Sequence, residues 1–239
     1  MTPISGHTVK SFDENLDRLQ ALIVRMGELC ETQIDAAIRV LVERDAEAAL
    51  AVAAADATID ALEAETEALA IEIIALRAPV ADDLRAIIAA LKISSLLERI
   101  GDYAKNIAKR ATVLARSKSV EPMVIVPEMG RVVIEMLRSV IDAYVKGDAE
   151  AALAVWHRDA IVDDYYNSLF RALLTYMMEN PQAIAPSTHL LFIAKNLERI
   201  GDHATNIAEL VHYSATGIQI DNRPKRDDTI FGTGSGADA

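Results

Sequence analysis

Eight carboxylates fall into four pairs spaced four residues apart: Asp56/Asp60, Glu98/Asp102, Asp159/Asp163 and Glu198/Asp202. On a helix, residues four apart share one face, with Cβ atoms about 5–6 Å apart. Like charges there repel and cost a helix a few tenths of a kcal/mol. One such pair means little, but four at matched places ask for something that offsets the repulsion. A bound cation is the simplest candidate. All-oxygen ligation suits hard or borderline cations such as Mg, Ca, Mn or Fe. A structural Zn site would want Cys or His, which these stripes mostly lack. Asn106 and Asn206 extend the Glu-x3-Asp stripe by one turn and could add a carbonyl oxygen.

The places are matched because the chain repeats itself. Asp45-Ala-Glu-Ala-Ala-Leu-Ala-Val52 recurs unchanged as Asp148–Val155, and Leu97-Glu-Arg-Ile-Gly-Asp102 recurs as Leu197–Asp202. Ala104, Asn106, Ile107 and Ala108 match Ala204, Asn206, Ile207 and Ala208. The offsets, 103 and then 100, keep their order, which a tandem duplication explains and chance does not. Gly101 and Gly201 share equivalent positions. Glycine inside a helix costs roughly 1 kcal/mol relative to Ala, so a glycine at both positions points to close helix approach or room for a ligand.

Helices must carry these pairs. Of 239 residues, 40 are alanine, aromatics are 5%, Gly totals 10 and Pro 7. Ala is the best helix former, and strand formers are comparatively scarce. Pro79, Pro122 with Pro127, and Pro181 with Pro186 mark stops, and Asp45 and Asp148 read as N-caps. Six helices follow, spanning about 11–43, 46–77, 81–117, 128–146, 149–179 and 187–215. The expected architecture is all-α: two tandem three-helix bundles related by internal duplication. Residues 1–10 form an N-terminal arm, 11–117 the first bundle, 118–127 a linker, 128–216 the second bundle and 217–239 a flexible tail. Two seams alternate spacings of three and four: Ile59, Leu62, Thr66, Leu69, Ile73 and Leu76, then Leu97, Ile100, Ala104, Ile107, Ala111 and Leu114.

At 100° per residue, Glu98 and Asp102 centre about 150–180° from their seam, and the second-helix acids, with Glu63 and Glu67 on the same stripe, about 120° from theirs. The carboxylates are therefore expected on outer or flanking surfaces. Two readings stay open. Arg99, Lys105 and Lys109 lie near the first Glu/Asp pair, which suits an ordinary salt-bridged face; the duplication favours a cation ledge. His203 follows Asp202, but its counterpart is Tyr103. A ferritin-like core would need Glu-x-x-His twice, and Glu209–His212 is the single match. No phosphate loop, nucleotide fingerprint or nucleophile elbow occurs. A carboxylate-bridged hydrolase or oxidase would need a pocket beside the metal, which surface ledges disfavour. A passive scaffold whose acids confer solubility is the remaining alternative.

Charge narrows the partners. The formal net charge of −12 argues against a general nucleic-acid binder and against adhesion to an anionic membrane by charge alone. The single cysteine, Cys30, excludes an intramolecular disulfide and is expected to be a small, partly buried apolar side chain in a reducing compartment. The first ten residues lack an apolar h-region, and no stretch approaches about 18 uninterrupted apolar residues, so a cytoplasmic protein is expected. Trp156, opposite Ala53 in the repeat, is expected to make a contact specific to its half; His157 and His189 are expected to pack or sit at the surface.

Two three-helix halves, each with Leu-Glu-Arg-Ile-Gly-Asp-x-Ala-x-Asn-Ile-Ala on its third helix, resemble the PhoU family. The resemblance covers about residues 10–215. It implies a non-enzymatic, cytoplasmic negative regulator of the phosphate-starvation response. Such a regulator would connect the ATPase subunit of a phosphate ABC transporter to a sensor histidine kinase, meet the membrane only through partners, and tend to form a homodimer. It also implies metal clusters on the acidic motifs, with iron favoured and Mn, Mg, Ca or Zn as alternatives. By position, Asp56, Asp60, Glu98 and Asp102 would serve one cluster and Asp159, Asp163, Glu198 and Asp202 the other.

Overall fold

The computed structural model describes residues 5–220, with side chains from Phe12 onward. The described residues form eight α-helices and two short 3-10 turns, and no strand occurs among them. The helices are α1 (Ser5–Glu43), α2 (Ala46–Ala54), α3 (Ala57–Arg77), α4 (Ala81–Leu114), α5 (Ile125–Lys146), α6 (Ala149–His157), α7 (Asp159–Glu179) and α8 (Ile184–Thr216). They make six rods, because α2–α3 and α6–α7 are each one rod with a kink. Three rods per half give the tandem three-helix bundles.

Both N-caps form where the sequence places them. The Asp45 carboxylate accepts from the N–H groups of Glu47 (3.0 Å) and Ala48 (2.9 Å), and that of Asp148 from Ala151 N–H (3.0 Å). The preceding turn needs a left-handed residue in both halves. Gly147 supplies it at φ 62° without a Cβ penalty, whereas its counterpart Arg44 takes φ 60°. The Arg44 guanidinium compensates by donating to the carbonyls of Ala115 and Ser117 just beyond the end of α4, a negative helix terminus.

Several boundaries differ from expectation. α1 begins at Ser5 rather than near 11, and α5 and α8 each start three residues early, since 3-10 turns at Glu121–Val124 and Pro181–Ala183 lead into them. The second and fifth helices are not continuous. Thr58 N–H bonds back three residues to Ala55 C=O (3.2 Å), and Ile161 N–H to Arg158 C=O (3.0 Å). This tightening to 3-10 geometry kinks each rod at Asp56 and at the Arg158–Asp159 step. Residues 1–4 of the expected arm and 221–239 of the expected tail lie outside the described residues.

The seams pack as read, with one exception. Ile59 through Ile73 and all of Leu97 through Leu114 are buried, but Leu76, near the end of α3, is 68% exposed. The halves share one continuous apolar core. α4 packs extensively on both α8 and α1, and α1 packs on α5. Those four rods form the centre, with α2–α3 flanking one side and α6–α7 the other. Tyr103 and His203, equivalent residues of α4 and α8, meet with ring centroids 5.4 Å apart, marking the pseudo-twofold relation. Cys30 is fully buried, its thiol donating to Leu97 C=O (3.2 Å), and burial pushes its pKa up. No helix among the described residues is long and apolar enough to cross a membrane.

Candidate metal centres

The kink in each second rod brings its acids to the third rod. In the first half, Asp56 turns under α4 and is 2% exposed. A Cβ on Gly101 would lie 2.9 Å from Asp56 Oδ1 and 3.0 Å from Ile59 Cδ1. Glycine at 101 is therefore the space in which the Asp56 carboxylate sits. Its Oδ1 accepts weakly from Gln33 Nε2 of α1 (3.4 Å). Its Oδ2 accepts from Lys105 Nζ at 2.7 Å, and the same ammonium donates to Asp102 Oδ1 at 3.0 Å. One side-chain cation thus bridges carboxylates from two helices, and those two bonds hold the Lys105 pKa well above its ordinary value.

Glu98 completes the cluster electrostatically. Its pKa is raised first by burial and then by the negative charges of Asp102, Glu63, Asp60 and Asp56. Asp56, Asp60, Glu98 and Asp102 therefore belong to one acidic set, joined by Glu63. The expectation that all the carboxylates lie on outer surfaces fails for Asp56 and also for Glu198, 3% exposed in the second half. The angle argument treated the second rod as one straight helix, whereas its kink turns Asp56 under α4 against Gly101.

The second set occupies equivalent ground differently. The Asp159 carboxylate faces Gly201, where a Cβ would lie an ordinary 3.4 Å from Oδ1 and from the Val162 methyls. Asp163 and Asp202 are half-buried. Thr205 replaces Lys105 and turns its hydroxyl back to Gly201 C=O (3.0 Å). The cation comes from the other side: Lys195, opposite Ser95, reaches Glu198 Oε2 at 2.8 Å and lies 5.3 Å from the ring centre of Tyr166. Tyr166 takes the place of Glu63, and Met136 that of Gln33, by the 103-residue offset.

Asn106 is exposed and Asn206 lies in a groove between α4 and α8. Asp56, Asp60 and Asp102 lie near enough to act on Glu98, and in the second half Asp159 meets α8 at Gly201. The role of Gln33 was not legible, because α1 carries no acidic pair to mark it. Its Oε1 is buried with no hydrogen-bond partner among the described residues.

With the side chains where they stand, no three Asp, Glu, His or Cys residues among those described converge into a metal cage. The chemistry of the donors nonetheless fits a hard cation. All are oxygens, and Lys105 stands between Asp56 and Asp102 as a tethered cation would.

The remaining readings from the repeat are met. Trp156 Nε1 donates to Glu209 Oε1 (3.1 Å), a contact of the second half alone, and His157 packs edge-on against Trp156. His189 Nδ1 lies 3.3 Å from Arg110 Nη1.

Fold and sites together define an all-helical, internally duplicated protein with one acidic set in each half. The PhoU domain family model matches residues 23–111 and 126–211, one match per half. The phosphate-specific transport system accessory protein PhoU homolog of Zymomonas mobilis is 53% identical over 230 residues, 96% of this chain and 97% of that protein. The crystal structure of PhoU from Pseudomonas aeruginosa superposes with a TM-score of 0.83 at 38% identity, covering 87% of this chain and all of that one. That of the phosphate transport system regulatory protein PhoU from Streptococcus pneumoniae gives 0.82 at 28% identity, over 88% of this chain and all of that one. The chain belongs to the PhoU family.

Proposed function

We propose that this protein is a non-enzymatic accessory regulator of phosphate transport that holds metal on its two acidic sets. It acts in the cytoplasm as an adaptor between the ATPase subunit of a phosphate ABC transporter and a sensor histidine kinase, and keeps the phosphate-starvation response off when phosphate is ample. The observation that carries this reading is the likeness to a phosphate-specific transport accessory protein across 96% of the chain. A homodimer is the assembly that the family resemblance favours.

Asp56, Asp60, Glu98 and Asp102 would hold metal in the first half, and Asp159, Asp163, Glu198 and Asp202 in the second, with Asn106 and Asn206 as accessory donors. The metal would supply positive charge and fixed coordination; iron is favoured, and Mn, Mg, Ca and Zn are alternatives. The chain's own contribution is positional. The kinks at Asp56 and Asp159 seat an acid against Gly101 and Gly201, and the packing of α4 on α8 fixes the spacing of the two ledges. Partners would then meet a rigid surface whose charge depends on the load it carries.

Deleting the gene should raise a phosphate-regulon reporter in phosphate-rich medium, and the intact chain should restore repression. A reporter that stays flat on deletion contradicts the regulatory reading.

A further inference from the structure

The pseudo-twofold relation of α4 and α8 creates two equivalent regions beside the Tyr103–His203 contact. In one, where the C-terminal half of α4 meets the N-terminal half of α8, three side chains fill the space. The Arg110 guanidinium lies 4.2 Å from the Phe192 ring centre and bonds to His189. By the 100-residue offset, the counterparts of Arg110, Phe192 and His189 are Leu210, Lys92 and Ala89. These smaller or outward-directed residues leave a groove of about 910 Å³, open along one side.

The groove has an ordered lining. Arg85, Lys92 and Arg99 follow one another at seven-residue spacing on α4, a row about 21 Å long. Leu96, Leu210 and Tyr213 supply apolar surface beside it. In a chain of net charge −12, this is a basic row on an apolar floor. Arg85 pairs with Asp82, but among the described residues neither Lys92 nor Arg99 pairs with a carboxylate. Glu209, the acid in the lining, accepts from Trp156.

We infer that this groove docks an acidic amphipathic helix of a partner protein. Cations about 10.5 Å apart in a line do not converge on one small anion. They match acids repeated every two turns along a helix whose apolar stripe covers the floor, a common mode of helix-in-groove recognition. Complementary charge sets the orientation and speeds encounter. This inference does not depend on metal at the acidic sets.

The test is selection of helical peptides displayed on phage against the full-length protein. Recovered sequences should carry Glu or Asp at seven-residue spacing beside an apolar stripe. Synthetic copies should bind at least tenfold more weakly to the Lys92→Glu/Arg99→Glu protein, and 0.5 M NaCl should weaken them too. The milder Lys92→Gln/Arg99→Gln protein should fall between, and peptides with acids changed to Lys should recover binding to the charge-reversed protein. Circular dichroism checks that each variant keeps its helices. Recovery of no binder, of binders without the acidic repeat, or of binders indifferent to both variants overturns the inference. So does a wild-type dimer that the charge reversal dissolves while leaving peptide binding unchanged, since the groove would then be a self-interface.

Discussion

The two halves place the same four carboxylates at equivalent positions and bring a lysine to them from opposite directions. In the first, Lys105 reaches forward from the turn after Asp102 and ties α4 to the kink of the second rod through Asp56. In the second, Lys195 reaches back from the turn before Glu198 and stays within α8, resting near Tyr166. The first set also holds Glu63 where the second has an aromatic ring. Duplication thus preserved the acids while letting their surroundings diverge. A cation entering the first set must displace an ammonium bound to two carboxylates. In the second, Lys195 contributes a bond to Glu198 alone.

The largest contrast is expected from the two lysines. Lys105→Met strands Asp56, at 2% exposure, and should cost about 2–3 kcal/mol of unfolding free energy in chelator-treated protein, read by urea denaturation. Lys195→Met, whose ammonium is more exposed and makes one bond, should cost about 1 kcal/mol. Equal losses would erase the asymmetry. The pH dependence has a definite sign. Because the folded-state pKa of Lys105 is raised, its stabilisation is present below the unfolded lysine value of about 10.4 and is lost as pH climbs through the higher folded value. The gap between wild type and Lys105→Met should therefore hold steady from neutral pH to about 9 and narrow only above about 10.4.

The glycines should respond with opposite signs. Gly101→Ala puts a methyl group 2.9 Å from a buried carboxylate oxygen and should lose about 1–2 kcal/mol net. Gly201→Ala meets only ordinary contacts and should gain about 0.5–1 kcal/mol from helix propensity. Thermal melts of the two proteins decide this, and two shifts of the same sign would mean the halves pack alike. A smaller difference is expected at the caps. Asp45→Ala loses two accepted bonds and should cost about 1 kcal/mol, whereas Asp148→Ala loses one and should cost about 0.5 kcal/mol, measured in the same way.

These contrasts also mark how far the sequence could be read. The repeat, the caps at Asp45 and Asp148 and the seam from Leu97 to Leu114 were legible because they depend on local spacing. The kinks were not, since Ala54-Ala55-Asp56 carries no Pro or Gly to announce a break. Burial of Asp56 was missed for the same reason, because the angle count ran straight through the kink that turns it under α4, and no local spacing marks Glu198 for burial. Gln33 lay beyond reach, as it joins the first set only through packing of α1. Lys105 was visible as the ordinary salt-bridge alternative, and it does form that bridge. Its reach to Asp56 on another helix gives it a structural role as well.

The central claim is that the matched carboxylates hold metal. Elemental analysis of purified wild-type protein beside Asp102→Asn/Asp202→Asn tests it most directly, with circular dichroism as the check on folding. The account predicts that bound metal falls sharply in the double variant while the helical spectrum persists. An unchanged metal-to-protein ratio, or wild-type protein that takes up none when dialysed against iron or manganese, would contradict it.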